Sequence, residues 1–181
     1  AQSQYSFAVI ATDAANNVSA AQSVTLDIND LDDTPPTITS SDLVDTISEN
    51  TDEGQIIYVA TADDSNDVTS GPVTFSLSVD SDSKLSIDTV SGEVTLEDGP
   101  DHEAQTQYNF TVIATDGANN SSEKPLTLNV EDIDDVAPVF LSSSNATVVE
   151  NTAAGQIIYT AVADDSLDVS DGVTFSLLPG S

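Results

Sequence analysis

The chain has 181 residues, room for one or two domains of ordinary size, and carries 32 acidic residues against two Lys and no Arg, a formal net charge of −30. Such a balance excludes nucleic acid as a partner, because phosphate binding relies on basic side chains that displace counterions, and an anionic membrane surface would repel it. Cys is absent, which removes disulfides and thiol chemistry. No apolar run reaches the roughly 18 residues of a membrane span, so no membrane insertion is expected, and no signal-peptide pattern opens the chain. The expectation is an internal segment of a longer exported protein. What this composition attracts is cations. A merely solvated acidic surface would account for the total, but not for acids that cluster at recurring positions.

Taken in order, the chain repeats itself. Gln4–Asp13 returns as Gln107–Asp116, Asp30-Leu31-Asp32-Asp33 returns as Asp132-Ile133-Asp134-Asp135, and Glu49-Asn50-Thr51 returns as Glu150-Asn151-Thr152. The offsets are 103, 102 and 101 residues, one immunoglobulin-sized unit. Boundaries fall near Pro35-Pro36 and Pro138. Residues 1–34 then read as the C-terminal part of one repeat, 35–136 as a complete repeat and 137–181 as the N-terminal part of the next.

Within the complete copy, alternating apolar positions predict strands near 43–48, 55–62, 73–79, 84–87, 93–97, 106–115 and 125–131. Val73, Phe75, Leu77 and Val79 alternate, as do Leu126, Leu128 and Val130. Ser91-Gly92 is a turn signal between two of the strands. No segment carries a helical period. Seven strands in about 100 residues suit a Greek-key β-sandwich of immunoglobulin type, all-β in class. Tyr5, Phe7, Tyr108 and Phe110 sit on the same alternation and are expected in cores.

The acids lie between these strands. They comprise Glu49, Asp63-Asp64, Asp101-His102-Glu103, Asp116, and the runs Asp30–Asp33 and Asp132–Asp135. At the ends of a sandwich such loops can converge, and hard cations want six to eight oxygen ligands from carboxylates and carbonyls. Asp101 and Glu103 could instead be an acid/base pair for glycoside hydrolysis, but their place in a repeated motif argues against it, and no activated nucleophile is spaced for catalysis. The chain is not expected to be an enzyme. His102, the only histidine, reads as a surface residue. Asn17, Asn109, Asn119, Asn120 and Asn145 open Asn-x-Ser/Thr sequons, which are frequent by chance in so Ser/Thr-rich a chain.

The order Glu-Asn, Asp-His-Glu, Ala-Thr-Asp and Asp-Ile-Asp-Asp-Val-Ala-Pro-Val-Phe resembles the cadherin repeat. That family carries Glu-Asn, Asp-Arg-Glu, Ala-x-Asp and Asp-x-Asn-Asp-Asn-x-Pro-x-Phe. The missing cysteine, scarce Lys and Arg, and near-identical neighbouring repeats are similar to the extender repeats of large calcium-dependent bacterial adhesins. The resemblance implies that Glu49, Asp101, Glu103 and Asp135 surround two calcium ions at the 132–136 linker. Asp132 and Asp134 would join them, Ile133 and Val136 would add backbone carbonyls, and Asp164 and Asp165 would reach in from the following repeat. At the first linker the corresponding set is Asp30, Asp32, Asp33, Asp63, Asp64 and Asp116. Which acids after the second strand bind stays open, with Asp67 and Asp168 as alternatives to those pairs. The implied function is a stalk: calcium clamps neighbouring repeats of the same chain into an extracellular rod that serves adhesion or biofilm formation. Direct recognition of a partner repeat or polysaccharide, or an accessory role in a secreted polysaccharide-degrading enzyme, are the competing readings.

Overall fold

The computed structural model describes residues 3–170 and 172–180. Among these residues every regular element is a strand, as the alternation requires. The thirteen strands are β1 (Gln4–Val9), β2 (Gln22–Asp27), β3 (Thr37–Ile38), β4 (Ile47–Ser48), β5 (Gln55–Val59), β6 (Ala62–Asp63), β7 (Thr74–Leu77), β8 (Leu85–Ile87), β9 (Glu93–Leu96), β10 (Gln107–Thr115), β11 (Ser121–Glu131), β12 (Val139–Phe140) and β13 (Ala163–Asp164).

The middle of the chain is a two-sheet sandwich. One sheet has the order β4-β11-β10-β7 and the other β5-β9-β8, with β3-β6 as a short ribbon beside them. Side chains of β10 alternate so that Tyr108, Phe110, Val112 and Ala114 point inward, and Leu126, Leu128 and Val130 of β11 do the same. Tyr58, Leu85, Val94 and Leu96 cover them from the other sheet. The rings of Tyr58 and Phe110 meet edge to face at 6.1 Å across the interface. Each such side chain contributes about 1.5–3 kcal/mol of burial, so this layer holds the fold together.

The Ser91-Gly92 signal marks the turn between β8 and β9. The Asp88 carboxylate accepts the N–H groups of Val90 and Ser91 at 2.9 and 2.7 Å. Gly92 then takes φ 73°, and a Cβ there would lie 2.4 Å from the Ala60 carbonyl oxygen. Three expectations shift. The segment 43–48 is strand only at β4, and 55–62 divides, β5 pairing with β9 around a bulge while β6 pairs with β3. Val79 lies beyond β7 and is 98% exposed rather than in the core.

These departures position the acids. Because β6 leaves the main sheet to pair with Thr37-Ile38, Asp63 and Asp64 arrive beside the Pro35-Pro36 linker. Because β4 runs parallel to β11, with Ile47 opposite Val130, Glu49 arrives beside Glu131–Ile133 at the other end. The flanking copies keep their local pairings. Tyr5 opposes Leu26 in β1-β2 as Tyr108 opposes Leu128, and Phe140 opposes Ala163 in β12-β13 as Ile38 opposes Ala62. Burial is what they lack: Tyr5 is 50% exposed, Tyr108 not at all, because among the described residues no second sheet covers β1-β2. The expected core role of Tyr5 and Phe7 is therefore not realised here.

Candidate metal centres at the two junctions

At the second junction Glu49 is 2% exposed. Its Oε1 accepts the Ile133 N–H at 2.6 Å and its Oε2 accepts the His102 N–H at 2.7 Å. One buried carboxylate thus pins the end of β11 to the loop that carries Glu103. The next residue, Asn50, adopts φ 59°, a left-handed conformation that Asn tolerates, and its side-chain amide donates to the Asp135 carboxylate. Carboxylate oxygens of Glu49, Glu103, Asp132 and Asp168 all lie within 4.8 Å of one another. His102 Nδ1 stands 3.3 Å from Asp132 and 4.0 Å from Glu103. The two lysines are engaged elsewhere, Lys84 with Asp98 and Lys124 with Asp42.

This crowding has a titration signature. Desolvation pushes the Glu103 carboxyl above its ordinary range, and the neighbouring charges of Glu49, Asp168 and Asp135 add to it. Desolvation does the same to Asp132, with its hydrogen bond to Asp168 adding to the rise. One oxygen of Asp132, Oδ1, is buried without any hydrogen-bond partner. A buried anionic oxygen left unpaired is costly, and a cation would relieve that cost.

At the first junction Asp32, Asp64 and Asp116 present oxygens within 4.8 Å of one another. Asp32 and Asp116 are only 6% and 5% exposed. Ser70 donates its N–H to Asp32 Oδ2 at 2.9 Å. The side-chain amide of Asn120 donates to the Asp32 backbone carbonyl at 3.2 Å and to Asp116 Oδ2 at 2.9 Å. Asp116 Oδ1 also takes the N–H groups of Ala118 and Asn120. Burial opposes its ionisation, but these donors, Asn120 foremost, hold its carboxyl below the usual range. Gly117 permits the approach, since a Cβ there would sit 2.6 Å from the Ser70 carbonyl oxygen. Asp64 has the opposite fate. Desolvation, then the charges of Asp32 and Asp116, push its carboxyl up, and its Oδ2 is buried and unpaired. Both acid groups fit a hard cation: oxygen donors only, an excess of negative charge, and one orphaned oxygen in each.

Residues 45–131 match the family model of the cadherin domain. Human Cadherin-8 is 36% identical over 153 residues, covering 81% of this chain and 19% of that protein. Human Cadherin-related family member 2 is 33% identical over 177 residues, covering 95% of this chain and 14% of that protein. Among solved structures, Protocadherin Gamma B2 extracellular cadherin domains 3–6 align with TM-score 0.66 at 26% identity, over 93% of this chain and 40% of that one. Residues 45–131 form a cadherin-like domain. The chain spans less than a fifth of the length of these two curated relatives.

Of the acids singled out from sequence, the cadherin-like fold brings Glu49, Glu103 and Asp132 together at one end, and Asp32, Asp64 and Asp116 at the other. Asp101, Asp134, Asp135, Asp164 and Asp165 stand outside the first group, and Asp30, Asp33 and Asp63 outside the second. Several of these hold backbone instead. Asp101 accepts the Ala104 N–H, Asp63 that of Ser65 and Asp164 that of Ser166. Ile133 and Val136 present their N–H groups to Glu49 and Asp168. Asp168, an open alternative in the sequence, joins the four-acid group, whereas Asp67 hydrogen-bonds the first linker outside the three-acid one. Sequence reasoning missed Asn50, Ser70 and Asn120. The recurrence of Asn50 as Asn151, and of Asn17 as Asn120, was the available signal for two of them.

Proposed function

We propose that the chain is a calcium-rigidified spacer of an extracellular adhesin, in which ions at the junctions convert a flexible string of repeats into a rod. The observation that carries this reading is the pair of acid groups at the two linkers, each with a buried carboxylate oxygen that has no hydrogen-bond partner. At the second junction Glu49, Glu103 and Asp132 would hold the ions, with Asp101, Asp134, Asp135 and the carbonyls of Ile133 and Val136 close in sequence. At the first, Asp32, Asp64 and Asp116 would do so, with Asp30, Asp33 and Asp63 beside them. Calcium would supply the positive charge that the side chains lack. The repeat unit is residues 35–136, flanked by 1–34 and 137–181 as parts of its neighbours. The eleven residues of β11, at about 3.3–3.4 Å each, give about 36 Å per repeat before the linker is counted, so many repeats span hundreds of ångströms.

Absence of Cys, two Lys and no Arg, and near-identical successive repeats favour a bacterial adhesin serving attachment or biofilm formation. No catalytic role is assigned. Thermal melts in calcium, magnesium and EDTA test the reading. Stabilisation by a ligand that binds only the folded state is about 2.7 kcal/mol per site at a hundredfold excess over Kd. Calcium should therefore raise the midpoint clearly, magnesium less, and equal midpoints in all three would refute it.

A further inference from the structure

We propose that Asp168, outside the Asp164-Asp165 pair, is a carboxylate with which the following repeat grips the second junction, acting both as a clasp on the linker backbone and as a cation ligand. The ligand half rests on the calcium reading above; the clasp half does not.

The three acids are placed differently. Asp164 lies on β13 and spends Oδ1 on the Ser166 N–H at 3.1 Å, which shapes the turn that follows. Asp165 accepts the Ser170 hydroxyl. Asp168 reaches back across the junction, its Oδ2 accepting the N–H groups of Asp135 at 2.5 Å and Val136 at 2.7 Å. Its Oδ1 accepts the N–H of Val169 at 2.6 Å. The same carboxylate falls within 4.8 Å of Glu49, Glu103 and Asp132, the group that contains the orphaned Asp132 Oδ1. An ionised carboxylate offers about four acceptor sites. Three backbone donors leave about one, which the hydrogen bond with Asp132 takes up without metal and a cation would take over.

The first junction repeats the clasp independently. Asp67 Oδ1 accepts the Val68 N–H at 2.8 Å, while Oδ2 accepts the Asp33 N–H at 3.4 Å and the Thr34 hydroxyl at 3.0 Å. Asp33 and Thr34 correspond to Asp135 and Val136, and Val68 to Val169. The sequence reason is shared. Asp64-Ser65-Asn66-Asp67-Val68 and Asp165-Ser166-Leu167-Asp168-Val169 both place an acid three residues past the pair, beyond a turn held by the pair's first member. The contact recurs with a changed partner group, Thr34 hydroxyl for Val136 amide.

The test uses the whole chain and NMR. Amide exchange at Asp135 and Val136 is measured in EDTA for wild type, D168N and D164N, followed by a calcium titration of each. D168N should speed exchange at both amides and weaken calcium at this junction, each about tenfold, while D164N changes neither. The Tyr108 and Phe110 amides report that the sandwich is intact, and D67N should free the Asp33 amide in the same way. Unchanged exchange at Asp135 and Val136 in D168N, or an equal loss in D164N, overturns the clasp. Faster exchange with calcium affinity unaltered overturns the ligand role alone. A wild type blind to calcium, with the exchange effect intact, refutes the calcium reading and leaves the clasp standing.

Discussion

The two junctions carry nearly the same linker sequence and gather different acids. At the second, Asp132 of the linker meets Glu49 and Glu103 from the domain before it, with Asp168 reaching in from beyond it. At the first, Asp32 of the linker meets Asp64 and Asp116, both from the domain after it. The chain contains no counterpart of Glu49 or Glu103 upstream of Asp30, and none of Asp116 downstream of Asp165. Each junction therefore displays acids from a different side of its linker. The difference teaches that a linker motif by itself is not a cation site. The acid groups form only where sandwich ends pack against it.

That comparison can be broken most forcefully at Glu49. Replacing it by Ala removes one acid of the four and strands two backbone donors, those of Ile133 and His102. Leaving a buried donor unsatisfied costs about 1–3 kcal/mol, so E49A should lower the denaturant midpoint even in EDTA and lose most of the calcium response. Glu150, its copy in the flank, is exposed, and E150A should change neither. Equal effects would mean that sequence position, not burial, sets the role.

A middle-sized effect separates the junctions by occupancy. The second offers four acids and the first three, and affinity for hard cations follows ligand charge count. Calorimetry should resolve tighter sites that E49Q removes and a weaker one that D116N removes, with D13N silent because Asp13 holds only its own turn. Equal affinities would dissolve the distinction.

The smallest expected effect is in pH. Without metal, Glu103, Asp132 and Asp64 have carboxyls raised in the folded state, by desolvation first and then by neighbours. A raised group favours the fold when protonated, and that contribution disappears as pH rises through the folded value. The metal-free chain should therefore gain stability as pH falls from 7 toward the ordinary carboxylate range near about 4. Below that range, protonation of Asp168, Asp67 and Asp116, all held low, reverses the gain. With calcium bound, acid should only destabilise, since protons compete for the same oxygens. Melts across pH, with calcium and with EDTA, show whether the two curves converge as predicted.

Much of this was legible in sequence, for physical reasons that differ by element. The inward row Tyr108, Phe110, Val112, Ala114 is a period-two pattern long enough to read directly. The same pattern misled at Tyr5 and Phe7, because alternation reports which face is apolar and not whether another sheet covers it. Asp32, Asp64 and Asp116 were legible as acids near strand ends. That Asp101 would turn to the Ala104 N–H, and Asp164 to that of Ser166, was not, since both choices are local backbone geometry. Asn120 escaped because an amide in a turn reads as turn chemistry, while here it also ties Asp116 to Asp32, which lies 88 positions from Asn120 in sequence.

The claim that junction acids clamp the repeats is tested most directly by small-angle X-ray scattering of the whole chain in calcium and in EDTA. Interfaces of this kind flex by default unless held. In calcium the pair-distance distribution should be that of one elongated, narrowly distributed shape. In EDTA it should broaden, and E49Q in calcium should resemble wild type in EDTA at the second junction. Superimposable profiles in calcium and EDTA, from protein shown to bind calcium, would contradict the clamp.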